Sequence, residues 1–304
     1  MFIPRFWGIF TLSMVSFALP GTSEFLDNVE YGRAGDFSLR LDARIPEGRG
    51  PFPAAIIVHG GGWMRGDRKH TVEPLFRPLA DARFATFSIS YRLASDLNGG
   101  GGNGIGAALM LGAAIDDVRQ AVSFVKAHAE EYRIDPNRVA LIGESAGAQL
   151  ASMAALKPGA NGEVRAVVAM YSPSDLVSLA QTSKQIPDSV REAVRGTPFA
   201  DMLLAGLRNL SPINYVHPGM PPFLLIHGTS DTLVPFEQSE NMCRKIHEAG
   251  GSCELYPVKG GGHGLRWWES EHLTAYKRRM VAWLEKELAD GPQSAHLHTP
   301  VSAR

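Results

Sequence analysis

Val139-Ala-Leu-Ile-Gly-Glu-Ser-Ala-Gly-Ala148 is the stretch whose reading decides the fold. Val139 to Ile142 read as a short apolar strand, and Ala148 to Leu156 as a helix of small residues. Between them lies Gly-Glu-Ser-Ala-Gly, a G-x-S-x-G turn in a strand–turn–helix context. Such a turn is too tight for side chains two positions either side of the serine, and Gly143 and Gly147 occupy those places. Ser145 is expected on a strained backbone, its hydroxyl projecting from the sheet edge. The helix that follows aims a partial positive charge at the same point. A serine hydroxyl is a weak nucleophile at neutral pH; it needs a base, and the base needs an orienting partner.

Outward from this stretch, strands and helices alternate. Ala54 to Val58 is a continuous apolar run, the mark of a strand buried on both faces, and it ends in His59-Gly-Gly-Gly-Trp63. Phe37 to Ile45 alternates apolar and polar residues, as a half-exposed antiparallel strand does. Further strands are expected over Ala85 to Tyr91, Ala166 to Met170, Phe223 to Gly228 and Cys253 to Val258. Helices are expected around Leu75 to Ala80 and over Ala107 to Tyr132, Phe236 to Ala249 and Leu273 to Leu288. Asn98 to Gly104 is a glycine loop, and Asp135-Pro136 closes the connection to Val139. The alternation implies an α/β chain with a mostly parallel central sheet and helices on both faces, where ligands bind outside the carboxyl ends of the strands. Gly60 to Gly62, Ser145, Asp231 and His263 all fall at such ends. Residues 174–209 lack strand signal and are the expected cap. Met202, Leu203, Leu204 and Leu207 either line the pocket or pack the cap onto the sheet.

His263, in Gly260-Gly-Gly-His-Gly264, is the candidate base, and Asp231, in Gly228-Thr-Ser-Asp, the candidate orienter. Consecutive glycines let backbone N–H groups approach an oxyanion closely, so Gly61 and Gly62, with the N–H of Ala146, are the candidate oxyanion donors. His59 is expected to stabilise its loop, and Trp63 to form pocket wall or core. Asp67 and Arg68 are expected to hold the oxyanion loop. Trp267 and Trp268 either flank a substrate ring or pack the loop against the last helix.

The 304 residues are 44% hydrophobic and 20% charged, with a formal net charge of -1, so nothing points to nucleic acid or to electrostatic membrane contact. Residues 1–23 read as a secretory signal peptide: Arg5, an apolar run from Phe6 to Leu19 too short to span a bilayer, then small-x-small sites at Ser16-Phe-Ala18 and Gly21-Thr-Ser23. A secreted or periplasmic protein is the expectation; an apolar segment packed on the domain, or an uncleaved anchor, is the other reading. The folded domain is placed at 24–290 and a disordered tail at 291–304. His296 and His298 in that tail form no expected metal site. Cys243 and Cys253 are either a disulfide or two buried apolar residues, on a helix and the strand after it.

With HGGGW, GESAG, Tyr91-Arg-Leu93, Asp117, Ser211-Pro212 and His227-Gly-Thr-Ser-Asp-Thr-Leu-Val-Pro235 in hand, the chain resembles the α/β-hydrolase superfamily over about Val29 to Leu288. Within it, the resemblance is to hormone-sensitive-lipase-like serine esterases, close to bacterial feruloyl and acetyl (carbohydrate) esterases. It implies Ser145, Asp231 and His263 as a triad with Gly61, Gly62 and Ala146 as oxyanion hole. It also implies a carboxylic ester hydrolase acting on short-chain or aromatic (acetyl/feruloyl-type) esters, without cofactor or metal. A proline-rich stretch usual after Tyr-Arg-Leu is replaced here by the glycine loop. Three other readings are weighed, one of them a peptidase of the prolyl-oligopeptidase type, a group that normally carries a large second domain. Arylformamidases place a histidine where this chain has Gln149, and a non-catalytic binding protein would lack a triad member.

Overall fold

Ala54, Ile56 and Val58 belong to one apolar cluster, Ala55 and Ile57 to another. All five lie on β3 (Phe52–Val58). Successive side chains of a strand point to opposite faces, so a strand apolar throughout requires both faces to be covered. The same division runs through β5 (Ile134–Glu144), β6 (Ala166–Met170) and β7 (Phe223–Gly228). On β7, for example, Phe223 and Leu225 face one side, Leu224 and Ile226 the other. One face is covered by α2 (Gly104–Ala127), α3 (Ala146–Leu156) and α7 (Glu237–Glu248), through Val118, Leu150 and Ile246. The other is covered by α1 (Glu73–Asp81) and α9 (Ala275–Glu287), through Leu79, Tyr276, Met280 and Leu284. Each such fully buried large side chain contributes about 1.5–3 kcal/mol.

The computed structural model describes residues 23–96, 104–157, 159, 164–182, 188–193 and 198–289. Together with β1 (Glu24–Ala34), β2 (Phe37–Ile45), β4 (Ala85–Ile89) and β8 (Cys253–Val258), the strands form an eight-stranded sheet in the order β1-β2-β4-β3-β5-β6-β7-β8. β1–β2 and β2–β4 are antiparallel, and every other pair is parallel. This is the α/β-hydrolase arrangement expected from the sequence. The parallel run turns the carboxyl ends of β3, β5, β7 and β8 to one edge.

Several boundaries differ from the sequence reading; β4, for one, ends at Ile89 and not at Tyr91. β1 was not foreseen: it is an edge strand whose side chains, Tyr31 apart, alternate irregularly between exposed and half-buried. α2 stops at Ala127, not Tyr132, because His128 to Arg133 coil into turns, with Arg133 at φ 51°. β5 begins at Ile134, which pairs with Phe52. The ladder then breaks and resumes at Val139–Ala54, leaving Pro136, which has no N–H to donate, in the irregular part. A short helix, α8 (Leu265–Ser270), follows His263. Between β6 and β7 run α4 (Leu176–Thr182), α5 (Asp188–Ala193) and α6 (Pro198–Asn209). Cys243 of α7 and Cys253 of β8 form a disulfide. Among the described residues no helix is long and apolar enough to cross a membrane. The leader up to residue 22, most of the glycine loop and the tail with His296 and His298 lie outside the described residues.

Candidate active site

Ser145 sits between β5 and α3 at φ 52°, ψ -119°, a conformation L-residues avoid and one that costs of order 1–3 kcal/mol. Its N–H is held by the Met170 carbonyl at 2.9 Å. The glycines two places away are required by contact: a Cβ on Gly143 would strike the Gly147 carbonyl, and one on Gly147 the Val58 and His59 carbonyls.

The Ser145 hydroxyl donates to His263 Nε2 at 2.9 Å, and His263 Nδ1 donates to Asp231 Oδ2 at 2.7 Å. The Asp231 side chain is buried, and its Oδ1 accepts the N–H groups of Leu233 and Val234, both at 2.9 Å. Burial alone would push its carboxyl up. Bonds from His227 and His263, the charge of His263 and the Val234 N–H outweigh this and hold it well below the usual carboxylate range. Asp231 is therefore ionised at neutral pH and fixes the tautomer whose Nε2 accepts the serine proton. The loops of Asp231 and His263 are tied together by Ser230 N–H to the Gly261 carbonyl, 2.9 Å. A serine joined to an imidazole in this way can attack a carbonyl while losing its proton to the ring.

Gly61 and Gly62 both have positive φ, 119° and 63°, so the loop after β3 bends as only glycines allow. With Ala146, the first residue of α3, they line the same cavity of about 440 Å³ as Ser145 and His263. His59 stays outside it. The ring is 1% exposed, stacks on Tyr91 with centroids 4.4 Å apart, and lies with Nδ1 2.8 Å from the Gly60 carbonyl. Burial pushes it down to about 4, so it is neutral at pH 7. Trp63 both lines the cavity and packs on the core, its Nε1 donating to Gln149 Oε1 at 3.0 Å. Asp67 and Arg68 secure the loop as expected. Asp67 accepts the Lys69 and His70 N–H groups. Arg68 pairs with Asp42 on β2 at 2.9 Å and donates to Asn28 on β1.

The two tryptophans separate. Trp268 is fully buried, donates to the Gly262 carbonyl at 2.8 Å, and meets Tyr171 and Tyr276 edge-on. Trp267 is 41% exposed. Of the cap residues singled out in the sequence, Leu207 packs on the core and Met202 is exposed. Among the described residues, the cap residue in the cavity lining is Leu179, which the sequence reading did not single out.

Two further residues escaped the sequence reading. Glu144, the residue before Ser145, accepts the Gly60 N–H at 2.9 Å and the Tyr171 hydroxyl at 2.5 Å. Its burial pushes its carboxyl up. The Tyr171 oxygen in turn accepts the Leu265 N–H at 3.1 Å, and the ring meets His263 edge-on at 4.7 Å. One buried carboxylate and one phenol thus join the glycine loop after β3, the elbow and the histidine loop. The signal for Glu144 lay inside the G-x-S-x-G motif; Tyr171 was marked only by following a buried strand.

Residues 41–246 match the BD-FAE family, and the chain belongs to it. Among curated relatives, a probable carboxylic ester hydrolase, LipM, of Mycobacterium tuberculosis is 30% identical over 75% of this chain and 52% of its own length. A probable isoprenylcysteine alpha-carbonyl methylesterase of Arabidopsis thaliana is 26% identical over 74% of this chain and 48% of its own. The chain spans about half the length of the curated relatives it matches. Among solved structures, a truncated carbohydrate esterase from gut microbiota is similar at TM-score 0.68, with 25% identity over 89% of this chain and 98% of that one. The esterase Est2 of Thermogutta terrifontis shares the fold at TM-score 0.67, with 20% identity over 91% of this chain and 95% of that one.

Proposed function

We propose that this BD-FAE family member is a serine carboxylesterase working through an acyl-enzyme. The observation that carries the reading is the hydrogen-bonded chain Ser145–His263–Asp231, at 2.9 and 2.7 Å, opening on a cavity lined by Gly61, Gly62 and Ala146. Ser145 Oγ attacks the ester carbonyl as His263 Nε2 takes its proton. The N–H groups of Gly61, Gly62 and Ala146 receive the charge that develops on the carbonyl oxygen. His263 passes the proton to the departing alcohol, and water, deprotonated by the same ring, releases the acid. Asp231 stays ionised throughout and steadies the imidazolium. The names of the relatives support ester hydrolysis. Acetyl to feruloyl groups are the acyl classes proposed, in keeping with the gut carbohydrate esterase that this chain resembles.

The test is turnover of p-nitrophenyl acetate, p-nitrophenyl butyrate and methyl ferulate by wild type and Ser145→Ala, with fluorophosphonate labelling of Ser145. Wild-type turnover lost in the variant is expected; turnover retained by clean Ser145→Ala protein overturns the reading. No observation favours the arylformamidase alternative. Gln149 is occupied, holding Trp63 and, at 2.7 Å, the Leu210 carbonyl. The disulfide supports export as well, since such bonds persist in oxidising compartments. N-terminal sequencing of periplasmic or culture-medium protein tests that export and its cleavage site.

A further inference from the structure

The cavity over Ser145 has apolar walls, including Pro173, Leu179, Leu233 and Val234, and its lining contains two arginines, Arg65 and Arg266. Arg65 belongs to the loop of Gly61, and its N–H bonds to the Gly61 carbonyl at 3.2 Å. Arg266 lies three residues past His263, on the first turn of α8, and its Nη2 reaches the His70 carbonyl at 3.5 Å. The two loops that carry these arginines therefore meet. Both arginines are exposed. Among the described residues, neither has a carboxylate within 4.0 Å. The acid in the lining is Glu144, and both its oxygens are committed, to the Gly60 N–H and the Tyr171 hydroxyl. The lining thus sets two exposed guanidinium groups against one carboxylate that is already bonded within the protein, which leaves the arginines able to complement an anion. The fork of a guanidinium suits a carboxylate best.

We propose that the preferred esters of this site carry a second, ionised carboxylate, held by Arg65 and Arg266 while the ester carbonyl rests at Ser145. The proposal rests on the serine-esterase reading and narrows its substrates to two kinds: half-esters of dicarboxylic acids and esters of carboxylate-bearing alcohols. Solvent screens the contact, so each arginine is worth about a 2–5-fold preference.

The experiment compares kcat/KM by pH-stat for two pairs of near-isosteric esters. Monoethyl succinate against ethyl isocaproate places the charge on the acyl side. Acetoxyacetate against isobutyl acetate places it on the alcohol side. The anionic ester is expected to win in at least one pair, and the winning pair says on which side the carboxylate is read. The ratio should fall as NaCl rises from about 0.05 to 0.5 M, since the charges are exposed. Arg65→Gln and Arg266→Gln should each lower it about 2–5-fold, and Arg266→Lys should retain most of it. Neutral esters preferred in both pairs, or a ratio unmoved in the double glutamine variant, overturns the proposal and leaves the esterase reading standing. No turnover of any ester overturns both.

Discussion

Two loops leave the carboxyl edge of the sheet with almost the same letters: His59-Gly-Gly-Gly-Trp63 after β3 and Gly260-Gly-Gly-His-Gly264 after β8. Their histidines have opposite fates. His59 comes before its glycines, still beneath the end of the strand, and is stacked, bonded and neutral in the core. His263 comes after its glycines, which carry the chain out of the sheet, and its ring reaches Ser145. The first loop offers backbone N–H groups; the second offers a side chain. The position of a histidine relative to a glycine run, not the residue type, separates a structural ring from a reactive one.

This contrast can be broken at several strengths. The largest effect is expected at His263: replacement by alanine should lower kcat for p-nitrophenyl butyrate by about 10⁴–10⁶-fold with the fold intact by circular dichroism. His59→Asn should act on stability instead, by about 1–3 kcal/mol in urea titrations. An equal loss of kcat in a fully folded His59→Asn protein would erase the distinction. Next, Gly61→Ala should lower kcat by about 10²–10³-fold with KM less affected, because the new Cβ meets the Arg65 carbonyl and turns the donor away.

The third effect is in pH. An unfolded histidine titrates near 6.5, whereas folded His59 is pushed down to about 4. Above pH 6.5 neither state carries the proton and the stability is complete. As the pH falls below 6.5 the unfolded chain takes up a proton that the folded chain refuses, and by pH 4 about 3 kcal/mol is lost. Denaturant titrations across this window should show a slope that is smaller by this amount in His59→Asn; an unchanged slope would mean that the ring is not neutral in the core. The smallest effect concerns the disulfide between α7 and β8, which joins β8 at the end opposite the His263 loop. Its short loop is worth about 2–3 kcal/mol, so Cys243→Ser with Cys253→Ser should lower Tm measurably while kcat holds.

What the sequence reveals follows from where each residue's role is decided. β3, β5, β6 and β7 are legible as apolar runs because both their faces are buried. β1 is not, because an edge strand has no such constraint and only Tyr31 in it is fully buried. Ser145, Gly61 and Gly62 are legible because the backbone they need leaves glycines beside them. Asp231 and His263 gain credence from the strands they follow. Glu144 and Tyr171 are not legible: their bonds join residues 84, 27 and 94 positions apart, and nothing local records such contacts. Arg68 stands between these cases. Its supporting role was foreseen, and its partner Asp42 lies on the expected strand β2, but its partner Asn28 lies on β1, a strand the sequence did not disclose.

The bridge from Gly60 through Glu144 and Tyr171 to Leu265 has a consequence for anyone redesigning this protein. Three loops around Ser145 share one hub, so their variants should show epistasis: a change near Gly60 and a change near Leu265 will not combine additively, although the two lie far apart in the chain. Directed evolution that recombines loops from relatives is then expected to succeed only when the hub travels with them as a single inherited block.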